Sequence, residues 1–291
     1  MSWASKLSKP YAIHDGSKFR LKDFDSADTG EFKSEDDATG LLQKGVAKLE
    51  ELQDKLYAQR HWGVLLIFQA MDAAGKDGTI KHVMSGINPE GCQVFSFKQP
   101  SLDELDHDFL WRTTCRLPSR GMIGIFNRSY YEEVLVVRVH PEILDNEPIP
   151  KNLLTKEIWK ERFQDIHSLE RYLGRNGIIV RKFFLNVSKK EQKKRLLDRL
   201  NQPEKNWKFS LADVNQREYW DDYMKAYEDA IRNTSSKGAP WYVVPADNKW
   251  YTRLVVAAAL VETLESLDLA YPGLNSKLQK ELVEGKKILT A

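Results

Sequence analysis

The sequence predicts an α/β fold, a central parallel sheet with helices on both faces, and three observations carry that prediction. Gly63 to Ala70 (Gly-Val-Leu-Leu-Ile-Phe-Gln-Ala) is a short, nearly continuous apolar run without alternation, the pattern of a strand buried on both faces of a parallel sheet. Strand-like and helix-like segments then alternate along the chain. Directly after the first strand comes a glycine-containing loop, Asp72-Ala73-Ala74-Gly75-Lys76-Asp77-Gly78-Thr79, followed by a helical pattern.

Residues before about Glu35 are polar and broken by Pro10, Gly16 and Gly30. They are expected to form an irregular arm, about 1–35, that wraps the body or pairs with another subunit. Ser34 to Arg60 places Leu41, Leu42, Val46, Leu49, Leu52 and Leu56 on one stripe, as a helix requires. After the loop, Thr79 to Ile87 reads as a helix, and Asn88-Pro89-Glu90-Gly91 ends it. Cys92 to Phe97 is a strand. Ser101 to Cys115 is a helix with Ser101 as N-cap and Glu104 as its capping-box partner. Met122 to Asn127 is a further strand, Lys151 to Arg175 a helix, Gly177 to Val187 a strand and Ser188 to Leu200 a very basic helix. Val214 to Asn233 is an aromatic-rich helix, Trp241 to Pro245 a strand and Trp250 to Leu267 a helix.

The chain has 291 residues. Single α/β domains run to roughly 250 residues, so one domain over 1–291 with appendages is expected. The net charge of +2 argues against a generally basic nucleic-acid binder. Cys92 and Cys115 give neither a disulfide framework nor a metal spacing. The N-terminus lacks the apolar core of a signal peptide. The longest apolar run, Leu254 to Val261, falls short of the roughly 20 residues that span a bilayer. A soluble, cytoplasmic protein is therefore expected.

A strand that ends in a glycine-containing turn and opens a helix aims several backbone N–H groups at one point, and the helix dipole adds positive potential there. Gly75 and Gly78 permit close approach, and Lys76 supplies charge for outer phosphates. Ala73, Ala74, Gly75, Lys76, Asp77, Gly78 and Thr79 are the expected phosphate-binding set. The match to Gly-x4-Gly-Lys-Ser/Thr is imperfect. Ala70 stands at the first glycine, Asp77 at the magnesium-binding hydroxyl, and Thr79 is two residues late. That departure turns attention to Asp72, whose carboxylate is placed to hold a metal or orient a phosphoryl acceptor. A plain strand-to-helix turn is the bland alternative.

At the end of the Met122 strand comes Asn127-Arg128-Ser129-Tyr130-Tyr131-Glu132-Glu133. Asn127 stands where P-loop enzymes usually place a magnesium-linked carboxylate. It is a candidate for weak or water-mediated metal contact or for nucleotide contact. Arg128 is a candidate phosphate clamp, and Glu132 and Glu133 offer carboxylates one turn on. Lys189, Lys190, Lys193, Lys194, Arg195, Arg199, Lys205 and Lys208 crowd one segment, with like charges stacked at i,i+4. That repulsion suggests an anionic partner, and the position suggests a lid, about 188–212. The alternative is a solvated basic face. Arg112, Arg116 and Arg120 form a second basic cluster, and the two clusters together suggest a substrate with many phosphates. The histidines have no ligand spacing, and Tyr219, Trp220, Tyr223 and Tyr227 are expected in the core or a subunit interface.

Three segments in this order resemble the polyphosphate kinase 2 family: Asp72 to Thr79, Phe126-Asn-Arg-Ser-Tyr-Tyr131, and Ser188-Lys-Lys-Glu-Gln-Lys-Lys-Arg195 through Pro203-Glu-Lys-Asn-Trp-Lys-Phe-Ser210. The resemblance covers about Gly40 to Leu267. It implies a P-loop kinase three-layer sandwich of the thymidylate-kinase-like kind with a helical lid. It implies magnesium-dependent phosphoryl transfer, with manganese as the alternative ion, between inorganic polyphosphate and AMP, ADP or ATP. Asp72 would contact magnesium or the acceptor phosphate, Lys76 and Arg128 would bind phosphate, and Arg195 and Arg199 would come from the lid. Asn127 with Tyr131-Glu132-Glu133 and Val139-His140-Pro141-Glu142 resembles the third class, whose members phosphorylate both AMP and ADP. Many members carry Asp at the place of Asn127, so the second metal ligand is left to Glu132, Glu133 or water. Arg112, Arg116, Lys208, Asn127 and Glu133 complete the expected phosphate or nucleotide contacts. Homodimers or homotetramers, with no nucleic acid and no membrane, are the implied setting. The competing expectations are an ATP-dependent nucleotide kinase and a non-catalytic nucleotide-binding protein with a degenerate loop.

Overall fold

A computed structural model describes residues 2–290. Six strands form one sheet: β1 (Ala12–Ile13), β2 (Gly63–Gln69), β3 (Cys92–Ser96), β4 (Ile123–Asn127), β5 (Ile178–Asn186) and β6 (Trp241–Pro245), in the order β1-β6-β5-β2-β4-β3. Strands β2 to β6 are parallel, and β1 pairs antiparallel with β6 at the edge. The helices are α1 (Trp3–Ser8), α2 (Glu35–Gln59), α3 (Lys76–Val83), α4 (Leu102–Leu105), α5 (Trp111–Thr114), α6 (Glu132–Val139), α7 (Pro141–Asp145), α8 (Ile158–Arg175), α9 (Lys189–Asn201), α10 (Leu211–Asn215), α11 (Trp220–Thr234), α12 (Lys249–Glu265) and α13 (Ser276–Leu289). Helices α1, α2, α3 and α12 pack together on one side of the sheet, and α6, α8 and α11 on the other. The result is three layers.

Local chemistry explains the elements. All seven residues of β2 are buried, because helices cover both of its faces. Ser34 and Asp37 form a capping box at the start of α2, and Ser101 and Glu104 form the expected one at α4. The chain passes from β2 to the edge strand β3, returns to β4 beside β2, and then moves to the other side of β2 for β5. Strand order reverses at β2, and its carboxyl end opens the crevice where α/β sheets bind ligands.

Several sequence expectations are corrected. The arm is not irregular throughout. Its first residues form α1 and β1, and the Ala12 and Ile13 pairing makes the sheet mixed rather than wholly parallel. As the first of the two alternatives had it, the arm lies on its own body: the Tyr11 hydroxyl donates to Asp28 Oδ2 (2.7 Å) and meets the Tyr251 hydroxyl (2.8 Å), and Glu228 accepts the Leu21 N–H. The helix expected over Ser101 to Cys115 breaks into α4 and α5, because the Asp108 carboxylate accepts the Leu110 N–H and makes a local turn. The aromatic-rich helix is interrupted by a tight turn at Gln216–Tyr219 before α11. Helix α3 begins at Lys76 rather than Thr79. Helices α6, α7 and α13 have no counterpart in the sequence reading.

Candidate active site

The loop after β2 turns sharply. Ala73 has φ 61° and Gly75 has φ 110°, a value that favours glycine. The Ala74 N–H donates to Met71 O and closes the turn (3.2 Å). The N–H groups of Gly75, Lys76, Asp77 and Gly78 find no acceptor among the described residues, whereas Thr79 donates to Gly75 O (2.9 Å). Helix α3 therefore presents its first turn of free amides at the end of β2, with its dipole behind them. The Lys76 ammonium folds back onto Ala70 O (2.6 Å), and burial lowers its pKa from the usual lysine value while Asp72 opposes the shift.

Arg128 faces this loop from the end of β4. Its φ is 65°, a strained value for a side chain of its size, and its N–H still donates to Phe68 O (3.0 Å). Arg128 Nη2 donates to Asp72 Oδ1 (2.7 Å), and Nη1 lies 3.9 Å from Glu132. Buried chemistry holds this turn in place. Tyr130 and Tyr131 donate to Glu170 (3.0 and 2.8 Å), which is ion-paired with the fully buried Lys182, itself bonded to Thr234 O (2.7 Å). Each group in that network has a partner, so it fixes the turn rather than weakening the core.

Asp72, Arg128 and Glu132 line one cavity of about 350 Å³ with Gln99, Asp213, Gln216, Tyr223 and Tyr227. A second cavity of about 430 Å³ shares Gln99, Arg128, Glu132 and Val136 with it and extends past Lys98, Leu105, Ile143 and Asn146. The arrangement offers anion donors at one end and a mixed apolar and amide-lined space at the other.

The structure brings together Asp72, Lys76, Arg128 and the Ala73-to-Thr79 loop. The Asn127 amide lies beside them and donates to Asp77 Oδ1 (2.7 Å). A carboxylate at 127 would face another carboxylate there, which gives the amide a local reason.

Other expected residues lie elsewhere. Glu133 is 7% exposed and sits between Arg112 and Arg162, each 3.6 Å away. Burial pushes it up to about 7, Glu147 adds repulsion, and the two arginines oppose. Glu132, not Glu133, is the carboxylate that reaches the cavity of Asp72, because successive helical residues point about 100° apart. Arg112 is buried against Lys98 O (2.7 Å) and Phe97, and with Glu133 it lines the second cavity but not that of Asp72. Arg116 stacks over Phe95 and Lys208 over Trp207, and neither lines the two cavities.

Arg195 is the largest departure. It is 5% exposed, and its guanidinium donates to Ala74 O (2.7 Å), Ala73 O (3.3 Å), Ala246 O (2.7 Å), Asp247 O (2.9 Å) and Glu191 (2.9 Å). It holds the loop from behind and does not stand over its front. Arg199 donates to Lys208 O (3.1 Å) and Asp213 (2.9 Å), and so ties the 203–215 segment to α9. Gln192, which sequence reasoning missed, is buried and donates to Asp72 O (3.0 Å). The signal was available: 192, 195, 196 and 199 share one face of α9, and the lysines occupy the other. Tyr223 and Tyr227 are core residues as expected, but they also border the cavity.

Among the described residues no group of three or more His, Cys, Asp or Glu side chains is arranged to hold a metal ion. Magnesium, however, usually keeps several waters and is held by one or two carboxylates plus substrate phosphates. Asp72, with Glu132 in the same cavity, fits that partial donor set.

The family model for Polyphosphate kinase 2 matches residues 32–271. An ADP-polyphosphate phosphotransferase of Rhodopseudomonas palustris is 52% identical over 283 residues, covering 97% of this chain and 98% of that protein. An AMP/ADP-polyphosphate phosphotransferase of Meiothermus ruber is 44% identical, covering 95% and 100%. The crystal structure of Polyphosphate Kinase 2 from Arthrobacter aurescens TC1 superposes with a TM-score of 0.87 at 39% identity, over 98% of this chain and 99% of that one.

Proposed function

The chain belongs to the polyphosphate kinase 2 family, with its P-loop kinase fold, and from that premise we propose that it transfers phosphoryl groups between inorganic polyphosphate and AMP or ADP, giving ADP or ATP. The observation that carries this reading is the pairing of Asp72 with Arg128 (2.7 Å) on the wall of one cavity, beside Ala70, whose carbonyl holds Lys76, and directly before the loop whose α3 amides are free. Donors aimed at one point stabilise charge on a phosphoryl group, and phosphoryl transfer needs positioning and charge neutralisation rather than a covalent nucleophile.

In this mechanism the amides of Gly75 to Gly78 and Lys76 hold the phosphates of one substrate. Arg128, released in part from Asp72, clamps the phosphoryl group as its charge spreads. Asp72 orients the acceptor phosphate and, with Glu132, would hold magnesium or manganese. The ion, when bound, neutralises phosphate charge. The nucleoside of the acceptor occupies the adjoining cavity past Gln99 and Val136. The 203–215 segment, which brings Asp213 to the cavity and is tied to α9 by Arg199, acts as the lid.

No helix among the described residues is long and apolar enough to cross a membrane. We place the reaction in the cytoplasm, where nucleotides are available, without nucleic acid as a partner, which the small net charge supports. Self-association as a homodimer or homotetramer belongs to the same reading. Helix α13 supports it, because Leu278, Leu282, Val283, Ile288 and Leu289 are exposed on it.

The test is a donor comparison. Purified protein with magnesium and AMP, or ADP, should form ADP or ATP from polyphosphate. Formation of product from ATP alone, with polyphosphate inert, would identify an ATP-dependent nucleotide kinase instead. No turnover with either donor would leave a binding protein.

A further inference from the structure

Behind the phosphate loop lies a set of contacts that converge on a residue outside the cavity. Helix α9 touches three consecutive loop carbonyls, those of Asp72 through Gln192 and of Ala73 and Ala74 through Arg195. A peptide's C=O and the next residue's N–H point in opposite directions. Pulling the Ala74 carbonyl to the rear therefore turns the Gly75 N–H to the front, where it is free.

Asp247 fixes the helix that does the pulling. Its Oδ1 accepts the Ser188 N–H (2.7 Å) at the N-cap of α9, and its Oδ2 accepts the Ser26 hydroxyl (3.2 Å) from the arm. Its own N–H donates to Ser26 O (3.0 Å), and its C=O accepts Arg195 Nη2 (2.9 Å). One residue at the end of β6 thus joins the arm, the start of α9 and the buried arginine.

We propose that Asp247 is a positioning residue: through α9 and Arg195 it holds the loop carbonyls to the rear and so presents the amides of the phosphate site. This rests on the reading of the loop as that site. The residue acts by accepting hydrogen bonds, not by its charge. Asparagine keeps an oxygen for the Ser188 N–H and turns its NH2 toward the Ser26 oxygen, so it should substitute. Alanine should not.

The experiment compares full-length wild type, Asp247→Asn and Asp247→Ala by hydrogen–deuterium exchange and by steady-state kinetics with polyphosphate and AMP. In Asp247→Ala, exchange of the hydrogen-bonded amides within 70–79, those of Ala74 and Thr79, should rise about 5- to 10-fold, the equivalent of about one hydrogen bond, while β2 stays protected. Its kcat should fall about 10-fold with KM for AMP little changed, the signature of lost alignment rather than lost binding. Asp247→Asn should match wild type in both. Unchanged exchange over 70–79 in Asp247→Ala overturns the proposal, as does equal loss in both variants or loosening spread evenly over β2 and α3. If Asp247→Ala does not fold, Asp247→Ser is read the same way. Should wild type fail to use polyphosphate, the function reading falls alone, because the exchange comparison still reports on the loop.

Discussion

Arg128 and Arg195 both donate to the segment that follows β2, one from its front and one from its rear. Arg128 is about one-third exposed, lines the cavity, and spends its charge on a carboxylate, Asp72, that a phosphate can replace. Arg195 is buried, and most of its donors are taken by main-chain carbonyls that no ligand will displace. A guanidinium has five N–H donors and no acceptor, so what remains free decides its role. The comparison teaches that density of positive charge along the chain does not locate chemistry. The partner's identity does: carboxylates can be exchanged for substrate, and backbone carbonyls fix structure.

The largest expected effect is on Arg128. Arg128→Ala should lower kcat/KM about 10³-fold, the scale of removing a transition-state charge donor, with little change in thermal midpoint. A fall of under 10-fold, measured with polyphosphate and AMP at saturating magnesium, breaks the front half of the comparison. Arg195→Ala should reverse the balance. It leaves four carbonyls and Glu191 without their donor and should cost about 2–4 kcal/mol in urea unfolding. Activity losses in that variant should shrink in Arg195→Lys, which restores part of the bonding. Full stability in Arg195→Ala would show that the carbonyls re-pair without it.

Glu133 sharpens the contrast through pH. Its pKa rises from 4.5 to about 7, chiefly by burial. Between those values the folded protein holds a proton that the unfolded chain has released. Stability therefore falls as pH rises through that window. The drop should be on the order of 1–3 kcal/mol, and Glu133→Gln should remove it. The same slope in the variant, by urea titration from pH 5 to 8, assigns the effect to another group. The smallest effect is at Arg116, which stacks on Phe95 away from the cavity. Arg116→Ala should leave kcat/KM within about twofold and stability within about 0.5 kcal/mol. A larger loss with long polyphosphate only would mean that the anion path extends to α5.

Much of the fold was legible because its signals are local. Strand ends at Gln69, Ser96, Asn127, Asn186 and Pro245 fell within two residues of the expected ends, since apolar runs stop where the sheet stops. The helices α2, α8, α9 and α12 stand where the sequence put them, except that α8 begins at Ile158 rather than Lys151, after a separate tight turn at Lys151–Leu153. The small edge strand β1 was illegible: two residues carry no periodicity, and pairing with β6 alone makes them a strand. Helix α6 was hidden because Glu132-Glu133-Val134-Leu135-Val136-Val137 is buried on more than one side, so no polar stripe marks it.

The sequence alone determined the strand–loop–helix unit at Ala70 to Thr79, the residue types for phosphate contact, and the carboxylate at Asp72. Those depend on neighbours in the chain, whose geometry is set by a few residues. Tertiary structure decided which basic and acidic groups serve that unit. Arg195 meets carbonyls about 120 residues away in sequence, Lys182 pairs with Glu170 under the Arg128 turn, and Glu133 turns inward while Glu132 turns to the cavity. A charged side chain takes whatever partner the packed elements place within reach. That choice is made by burial, which raises the cost of every unpaired group and is a property of the whole fold.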